Sequence, residues 1–264
     1  MEIPYWKERL EQLPLGELHL FSEVDSTNQE AEKLSQAGAA PFSLVVADSQ
    51  TAGKGRQGRT WITRPGQALA FSWILYPEKG RIQPELLGRI NGLGALAVAE
   101  TLQEEYGLAS EIKWPNDVLI GGKKVAGILV ELHWNGCQLL DVILGIGINV
   151  GVKALPSGTD FDFPATNLEA VIQYQINRLD LLVSVLESLL KWYRRLAEPG
   201  LISAWNDRLA YKNQLVSLTS PKGPVIEGKV FGVEKDGSLV LEIGGTEKRH
   251  YHSGEIQMRL VDRS

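Results

Sequence analysis

The chain has 264 residues, 44% of them hydrophobic and 22% charged, a globular composition that excludes wholesale disorder. One cysteine, Cys137, and only four histidines exclude a disulfide framework, a multi-cysteine metal centre and a His-rich one. A net charge of −5 argues against a protein that wraps nucleic acid. No apolar run reaches the ~18–20 residues of a membrane span, and the opening Met1-Glu2-Ile3-Pro4 lacks a signal-peptide layout, so a cytoplasmic protein is expected.

Residues 18–24 (LHLFSEV) alternate as a strand. Asp25-Ser26-Thr27-Asn28 follows, and Thr27 with Glu30 three residues on predicts a capping box opening a short helix over 29–34. Residues 44–47 read as a buried strand, 48–60 as a Gly-rich basic loop and 68–75 as a strand. Residues 86–106 have helical spacing, with Leu87, Ile90, Leu93, Leu96 and Ala97 on one face. Gly121-Gly122 and Asn135-Gly136 mark hairpin turns joining strands over 118–120, 125–132 and 139–148, so the middle is a largely antiparallel sheet. The apolar run 142–148 suits a covered or paired strand.

A loop over 151–167 precedes an amphipathic helix over 180–196, whose end is signalled by Lys191, Arg194 and Arg195 and then Pro199-Gly200. Another short helix lies near 202–209. Five short strands (215–218, 227–233, 239–243, 248–252 and 256–261) then suggest a small barrel, with Phe231 and Tyr251 in its core, docked on the first part.

The segment Gly53-Lys54-Gly55-Arg56-Gln57-Gly58-Arg59-Thr60 carries the strongest chemical signal. No acidic residue occurs from 49 to 77, while Lys54, Arg56, Arg59 and Arg64 make a basic island in an acidic chain. Glycines let backbone N–H groups approach an anion, and the arginine fork suits phosphate or carboxylate. The segment nearly matches a nucleotide-binding P-loop, but Trp61-Ile62-Thr63-Arg64-Pro65-Gly66 follows instead of a helix, which excludes that reading. Gly92-Leu93-Gly94 mimics a dinucleotide fingerprint but sits inside a helical pattern, so its glycines serve close packing.

Three further segments carry polar chemistry. Lys113-Trp114-Pro115-Asn116-Asp117 must turn, and its Asn and Asp serve either the turn itself or a pocket rim; both readings stand. After it, Lys123-Lys124 enters a buried strand, so one lysine faces solvent and the other the opposite side, where it would pair with phosphate or carboxylate. Gly127, and the alternation in Gly145-Ile146-Gly147-Ile148-Asn149, leave strand faces bare, for a flat ligand or for a bend. His133 reads as a satisfied strand residue, and no Ser-His-Asp set is evident.

Asp25–Asn28, the run from Gly53 to Arg59, Lys113–Asp117, Lys124–Glu131 and Gly145–Asn149, taken in this order, resemble the biotin protein ligases. The resemblance implies an α+β fold: a class II aminoacyl-tRNA synthetase-like mixed sheet with packed helices, plus a small C-terminal SH3-like β-barrel. It places a catalytic biotin- and ATP-binding domain over residues 1–210 and the SH3-like domain over 211–264. It implies formation of biotinyl-5′-AMP from biotin and ATP with Mg2+, then transfer of biotin to a lysine of a biotin carboxyl carrier protein of acetyl-CoA carboxylase. Ser26, Thr27, Asn28, Gln50, Lys54, Gly55, Arg56 and Lys124 match biotin-side positions, with Lys124, Arg56 and Arg59 the catalytic cations. Asn116, Asp117, Asn149, Arg59, Glu255 and Arg259 match nucleotide-side positions, Asp117 being a candidate for Mg2+.

Lys54 and Gln57 stand where the family often has arginine, which implies a looser hold on the adenylate. The Asp25-Ser26-Thr27 motif arrives after only 24 residues, which implies a ligase without the N-terminal DNA-binding domain of the bifunctional members. The partners implied are the carrier protein and neither nucleic acid nor membrane, with the chain a monomer or homodimer. The rivals are a lipoate or octanoate ligase of the same fold and a non-catalytic biotin-binding module. The basic loop favours the biotin branch, and cations beyond those needed for one carboxylate favour catalysis.

Overall fold

The computed structural model describes residues 1–77, 82–155, 163–219, 224–252 and 257–261. The alternating segments pair into one seven-stranded sheet made of β1 (Leu18–Val24), β2 (Leu44–Gln50), β3 (Ala68–Leu75), β4 (Glu111–Lys113), β5 (Asp117–Ile120), β6 (Lys123–Asn135) and β7 (Gln138–Asn149). Their spatial order is β1-β2-β3-β7-β6-β5-β4. Every ladder is antiparallel except that of β1 with β2. The apolar β7 is thus the central strand, hydrogen-bonded on both edges.

The helices among the described residues are α1 (Ile3–Leu10), α2 (Thr27–Gln36), α3 (Leu87–Tyr106), α4 (Leu168–Ile172), α5 (Arg178–Arg194) and α6 (Pro199–Asp207). The alternation along β7 divides the two faces. Leu144, Ile146 and Ile148 join Ile128 and Phe71 in the main core with α3 and α5. The opposite face carries the glycines and the N-terminus of α2. Close packing explains the glycines of α3: a Cβ on Gly92 would lie 2.1 Å from the ring of the buried Trp205, and one on Gly94 would press on Ile128 and Leu144.

Two helix ends depart from the sequence reading. Ser26 is the N-cap of α2 and no capping box forms. The Thr27 hydroxyl points instead to Gln50 and Ser72, so the site takes the group that would have capped the helix. Pro199-Gly200 does not only end a helix; Pro199 opens α6, where its missing N–H is an orphan in any case.

The C-terminal strands β8 (Leu215–Thr219), β9 (Ile226–Val233), β10 (Leu239–Ile243), β11 (Glu247–Tyr251) and β12 (Gln257–Leu260) form a five-stranded antiparallel sheet ordered β11-β10-β9-β8-β12. Phe231 is not in its core. Gly228, Val230 and Gly232 alternate inward on β9, which leaves Phe231 46% exposed beneath the Lys248 ammonium. Tyr251 is half-buried and packs on the main core. The β9–β10 turn seats on the first sheet's helices. Arg89 at the start of α3 donates to the carbonyls of Lys235, Leu196 and Glu198, and Trp114 Nε1 donates to Gly237 O at 3.0 Å. Among the described residues no helix is long and apolar enough to cross a membrane.

Candidate active site

Directly paired residues of an antiparallel sheet share a face. One such row runs across the sheet as Lys113, Asp117, Gly127, Gly147, Ala70 and Ala47. It begins as an ion pair and ends in residues with almost no side chain. The adjacent row contains Leu129, Gly145 and Ser72. Where the sequence leaves faces bare, the fold brings in protein groups. A Cβ on Gly145 would lie 2.1 Å from Asn28 Oδ1, and one on Gly147 would lie 2.4 Å from the Trp61 indole. A Cβ on Gly127 would lie 3.2 Å from both the Trp61 ring and the Lys124 ammonium.

The basic loop folds back on itself as a narrow hairpin. Lys54 bridges Thr60, Gln50 bridges Thr63, and Trp61 N donates to Gly53 O at 2.8 Å. A 3-10 turn over Arg56–Gly58 caps the hairpin, with Gln57 at φ 59° and Gly58 at φ 72°. This fold lays the Trp61 indole on the glycine floor and aims Arg56 inward.

Two cavities lie on this face. The inner one, about 50 Å³, is lined by Ser26, Thr27, Asn28, Gln50, Lys54 and the three floor glycines. Apart from Lys54 and the shared Arg56 and Lys124, its polar groups are neutral, and Thr27, Gln50, Ser72 and Asn28 are linked to one another. Thr27 N donates to Gln50 Oε1 at 2.8 Å, and Gln50 Nε2 donates to Thr63 Oγ1 at 3.1 Å. Ser72 Oγ lies 2.8 Å from Thr27 Oγ1 and donates to Asn28 Oδ1 at 2.6 Å.

The outer cavity, about 300 Å³, is charged: Lys113, Lys124, Arg56, Arg59 and Arg259 surround Asp117, with Asn116, Asn149, Phe163 and Met258 completing the wall. Lys124 Nζ lies 2.6 Å from Asp117 Oδ1, and Lys113 Nζ lies 3.9 Å from Oδ2 of the same carboxylate. Burial pushes the Lys113 ammonium down to about 8, against the pull of Asp117 and with the push of Lys124, Arg259 and Arg59. Its charge also sits 3.7 Å from the centre of the Phe163 ring. Burial likewise lowers the Arg56 guanidinium, which donates to Asn116 Oδ1 at 3.0 Å. Asn116 is pinned in turn, its Nδ2 on Ile128 O and its own carbonyl accepting from Ile128 N. Asn149 donates to Thr166 O at 3.1 Å.

Gly55, Arg56, Trp61, Asn116 and Lys124 line both cavities. The fold therefore converges all the singled-out residues that are described, in two groups meeting at one wall. Glu255 lies outside the described residues. Of the two lysines entering β6, Lys123 is exposed and Lys124 turns into the site. The Asn116-Asp117 turn is also the cavity wall, so both readings of it hold.

The sequence reading missed Trp61, Ser72, Lys113 and Phe163 as site residues. Ser72 had a signal, being a lone hydroxyl in the apolar run Ala68–Leu75. Trp61 was visible only as the residue that ended the P-loop likeness. Phe163 gave none, because it comes from a loop distant in sequence. The histidine outside the site is satisfied as expected: His133 Nδ1 lies 2.6 Å from Asp141 Oδ1.

Comparison with known proteins gives a consistent picture. The profile described as the Biotin/lipoate A/B protein ligase family matches residues 20–149, and the Biotin protein ligase C terminal domain matches 213–259. The Bifunctional ligase/repressor BirA of Bacillus subtilis is 31% identical over 250 residues, spanning 92% of this chain and 75% of the relative. A Biotin–[acetyl-CoA-carboxylase] ligase of Paracoccus denitrificans is 30% identical over 230 residues, 84% of this chain and 92% of its own. Among solved structures, the biotin protein ligase from Aquifex aeolicus in complex with biotin and ATP superposes with a TM-score of 0.79 at 29% identity, covering 93% of this chain and 99% of that one.

Proposed function

The chain belongs to the biotin/lipoate A/B protein ligase family, and from that premise we propose that it joins biotin to AMP and then to a protein lysine. In the first step a carboxylate oxygen of biotin attacks the α-phosphorus of ATP. The bond from that phosphorus to the bridging oxygen breaks, giving biotinyl-5′-AMP and pyrophosphate. In the second, the neutral amine of a lysine on a biotin carboxyl carrier protein of acetyl-CoA carboxylase attacks the biotinyl carbonyl, AMP leaves and the amine loses a proton.

The observation that carries this reading is the shared wall between a neutral cavity and a cationic one. The uncharged donors and acceptors of Ser26, Thr27, Asn28 and Gln50 suit the ureido ring, with Lys54 and Gly55 beside it. Lys124 and Arg56, on the wall, meet both the carboxylate and the α-phosphate. Negative charge accumulates on the phosphoryl oxygens as the attack proceeds, and fixed cations stabilise it without reorganising. Arg59, Asn116, Asn149 and Arg259 hold the nucleotide side, and proximity across the wall supplies much of the remaining rate.

Asp117 orients the two lysines. Both of its oxygens face ammonium groups, and among the described residues no three His, Cys, Asp or Glu side chains converge. This donor set does not fit a resident metal, so Mg2+ is assigned to the ATP phosphates and no step is routed through it. The proposal also divides the chain into a catalytic unit over 1–210 and an SH3-like unit over 211–264, in keeping with two separate sheets and two family matches.

A lipoyl ring would leave the inner hydrogen-bonding groups unpaired, a mismatch that costs on the order of 10⁴-fold in polar sites of this kind. ATP–pyrophosphate exchange with biotin, lipoate, octanoate or no acid tests the assignment. Exchange dependent on biotin is expected. Exchange with lipoate or octanoate alone moves the chain to the neighbouring branch, and none with any acid from folded protein leaves only binding.

A further inference from the structure

Glu131 lies on β6, 31% exposed, behind two residues that line the inner cavity, Asn28 and Lys54. It joins two elements that approach from different directions. Its Oε2 accepts from Asn28 Nδ2 at 2.7 Å, at the start of α2, and its Oε1 lies 3.8 Å from Lys54 Nζ in the basic loop.

A carboxamide can face either way in a neutral pocket, and the two orientations exchange donor for acceptor. Here the choice is forced. An ionised carboxylate accepts and never donates, so Asn28 must turn its Nδ2 toward Glu131. The Leu129 carbonyl, 3.4 Å from the same nitrogen, asks for the same orientation. Asn28 Oδ1 then faces Ser72 Oγ at 2.6 Å and has no proton to give, so the Ser72 hydroxyl must donate to it. With the Ser72 proton held by Asn28, the Thr27 hydroxyl lies between two acceptors, Ser72 Oγ at 2.8 Å and Gln50 Oε1 at 3.1 Å. Gln50 Oε1 accepts from the Thr27 backbone N–H at 2.8 Å and has a second lone pair toward the Thr27 hydroxyl. The Glu131 charge, with the Leu129 carbonyl beside it, therefore sets the direction of the hydrogen bonds from Glu131 through Asn28 to Ser72. Gly145 is part of the same device, since any Cβ there would displace the Asn28 carboxamide.

We infer that Glu131 is a positioning residue for biotin, fixing through Asn28 and Ser72 the donor and acceptor pattern that the inner cavity presents to the ureido ring. The inference rests on the biotin reading of this cavity and names what enforces its polarity. A ring that both donates and accepts is matched only when these groups point one way. Glu131→Gln keeps the size and the acceptor oxygen but removes the obligation, because the new amide can meet Asn28 in either orientation.

The test is biotin-dependent ATP–pyrophosphate exchange in the full-length protein. Glu131→Gln is expected to raise KM for biotin about tenfold while KM for ATP stays within twofold. Asn28→Asp sets two carboxylates 2.7 Å apart and is expected to raise it further. Adding Glu131→Gln to Asn28→Asp restores an amide–carboxylate pair and recovers at least tenfold of the loss. An unaltered KM for biotin in Glu131→Gln, or double-variant effects that simply multiply, overturns the assignment. Equal rises in KM for biotin and ATP, or a large fall in melting temperature, mark a general structural role and overturn it as well. Absence of exchange in the unaltered protein instead removes the biotin reading itself, so the two failures are distinguishable.

Discussion

The inner cavity is built around neutral groups that hydrogen-bond to one another, with cations only at its wall, whereas the outer cavity is built from charges that oppose one another. Inside, Thr27, Asn28, Gln50 and Ser72 hold one another and their neighbours Thr63 and Glu131 by hydrogen bonds, and the fold gains rigidity there. Outside, Lys113, Lys124, Arg56, Arg59 and Arg259 crowd one carboxylate, an arrangement that costs stability until an anion arrives. In the function proposed above, recognition rests on the hydrogen-bonded groups and reactivity on the crowded positive charge.

The largest effect expected from this contrast falls on the charged side. Lys124→Ala removes a cation from the wall and leaves Asp117 facing the substrate phosphates, so pyrophosphate exchange should fall by about 10²–10³. Circular dichroism and melting temperature should remain near those of the parent. Near-normal exchange would mean that the wall is not where the reaction occurs, and Lys123 would be the next residue to alter.

On the neutral side, Gly145→Ala should raise the Kd for biotin by about a hundredfold, because the new methyl takes the place of Asn28 Oδ1 and breaks the chain on both sides. Isothermal titration with biotin in the absence of ATP reads this directly. Unimpaired binding would show that the floor has room to give and that the completed hydrogen bonds are dispensable.

The smallest effect concerns the cost of the outer charge. A lysine whose folded-state pKa is about 8 rather than 10.5 releases a proton on folding only between these two pH values, and below them folds with its charge. The penalty is then present in full below pH 8 and is relieved as pH rises from about 8 through 10.5. Lys113→Met should therefore stabilise the protein by about 1 kcal/mol at pH 7, and the gain should vanish toward pH 10.5. Urea titrations of the two proteins across this range measure the difference. A constant gap between them would locate the strain elsewhere.

Much of this was legible in the sequence, for reasons that can be traced. Strand and helix limits followed from alternation and turn residues: 18–24 and 68–75 agree with β1 and β3 at both ends, because apolar periodicity there meets no competing demand. The capping box failed where function outbid local chemistry, Thr27 giving its hydroxyl to the site. Phe231 failed because a small sheet has too few inward positions on β9 for every large side chain. In the site, charged and glycine-rich residues announced themselves. Ser72, Glu131 and Trp61 did not, since their importance comes from what the register sets beside them, and pairing across β3, β7 and β6 is a tertiary fact.

The pairing of Gly127 with Gly147 gives the molecule a reference mark. A slip of one residue between β6 and β7 would set an isoleucine opposite a glycine and turn core side chains toward the floor, so the alignment admits one solution. The irregularity between His133 and Trp134 lies beyond that mark, toward the Asn135-Gly136 turn. It lets the hairpin tip change pitch and length without passing the disturbance inward. The exposed end of the hairpin is therefore the place where this enzyme can carry an inserted peptide while its floor stays in step.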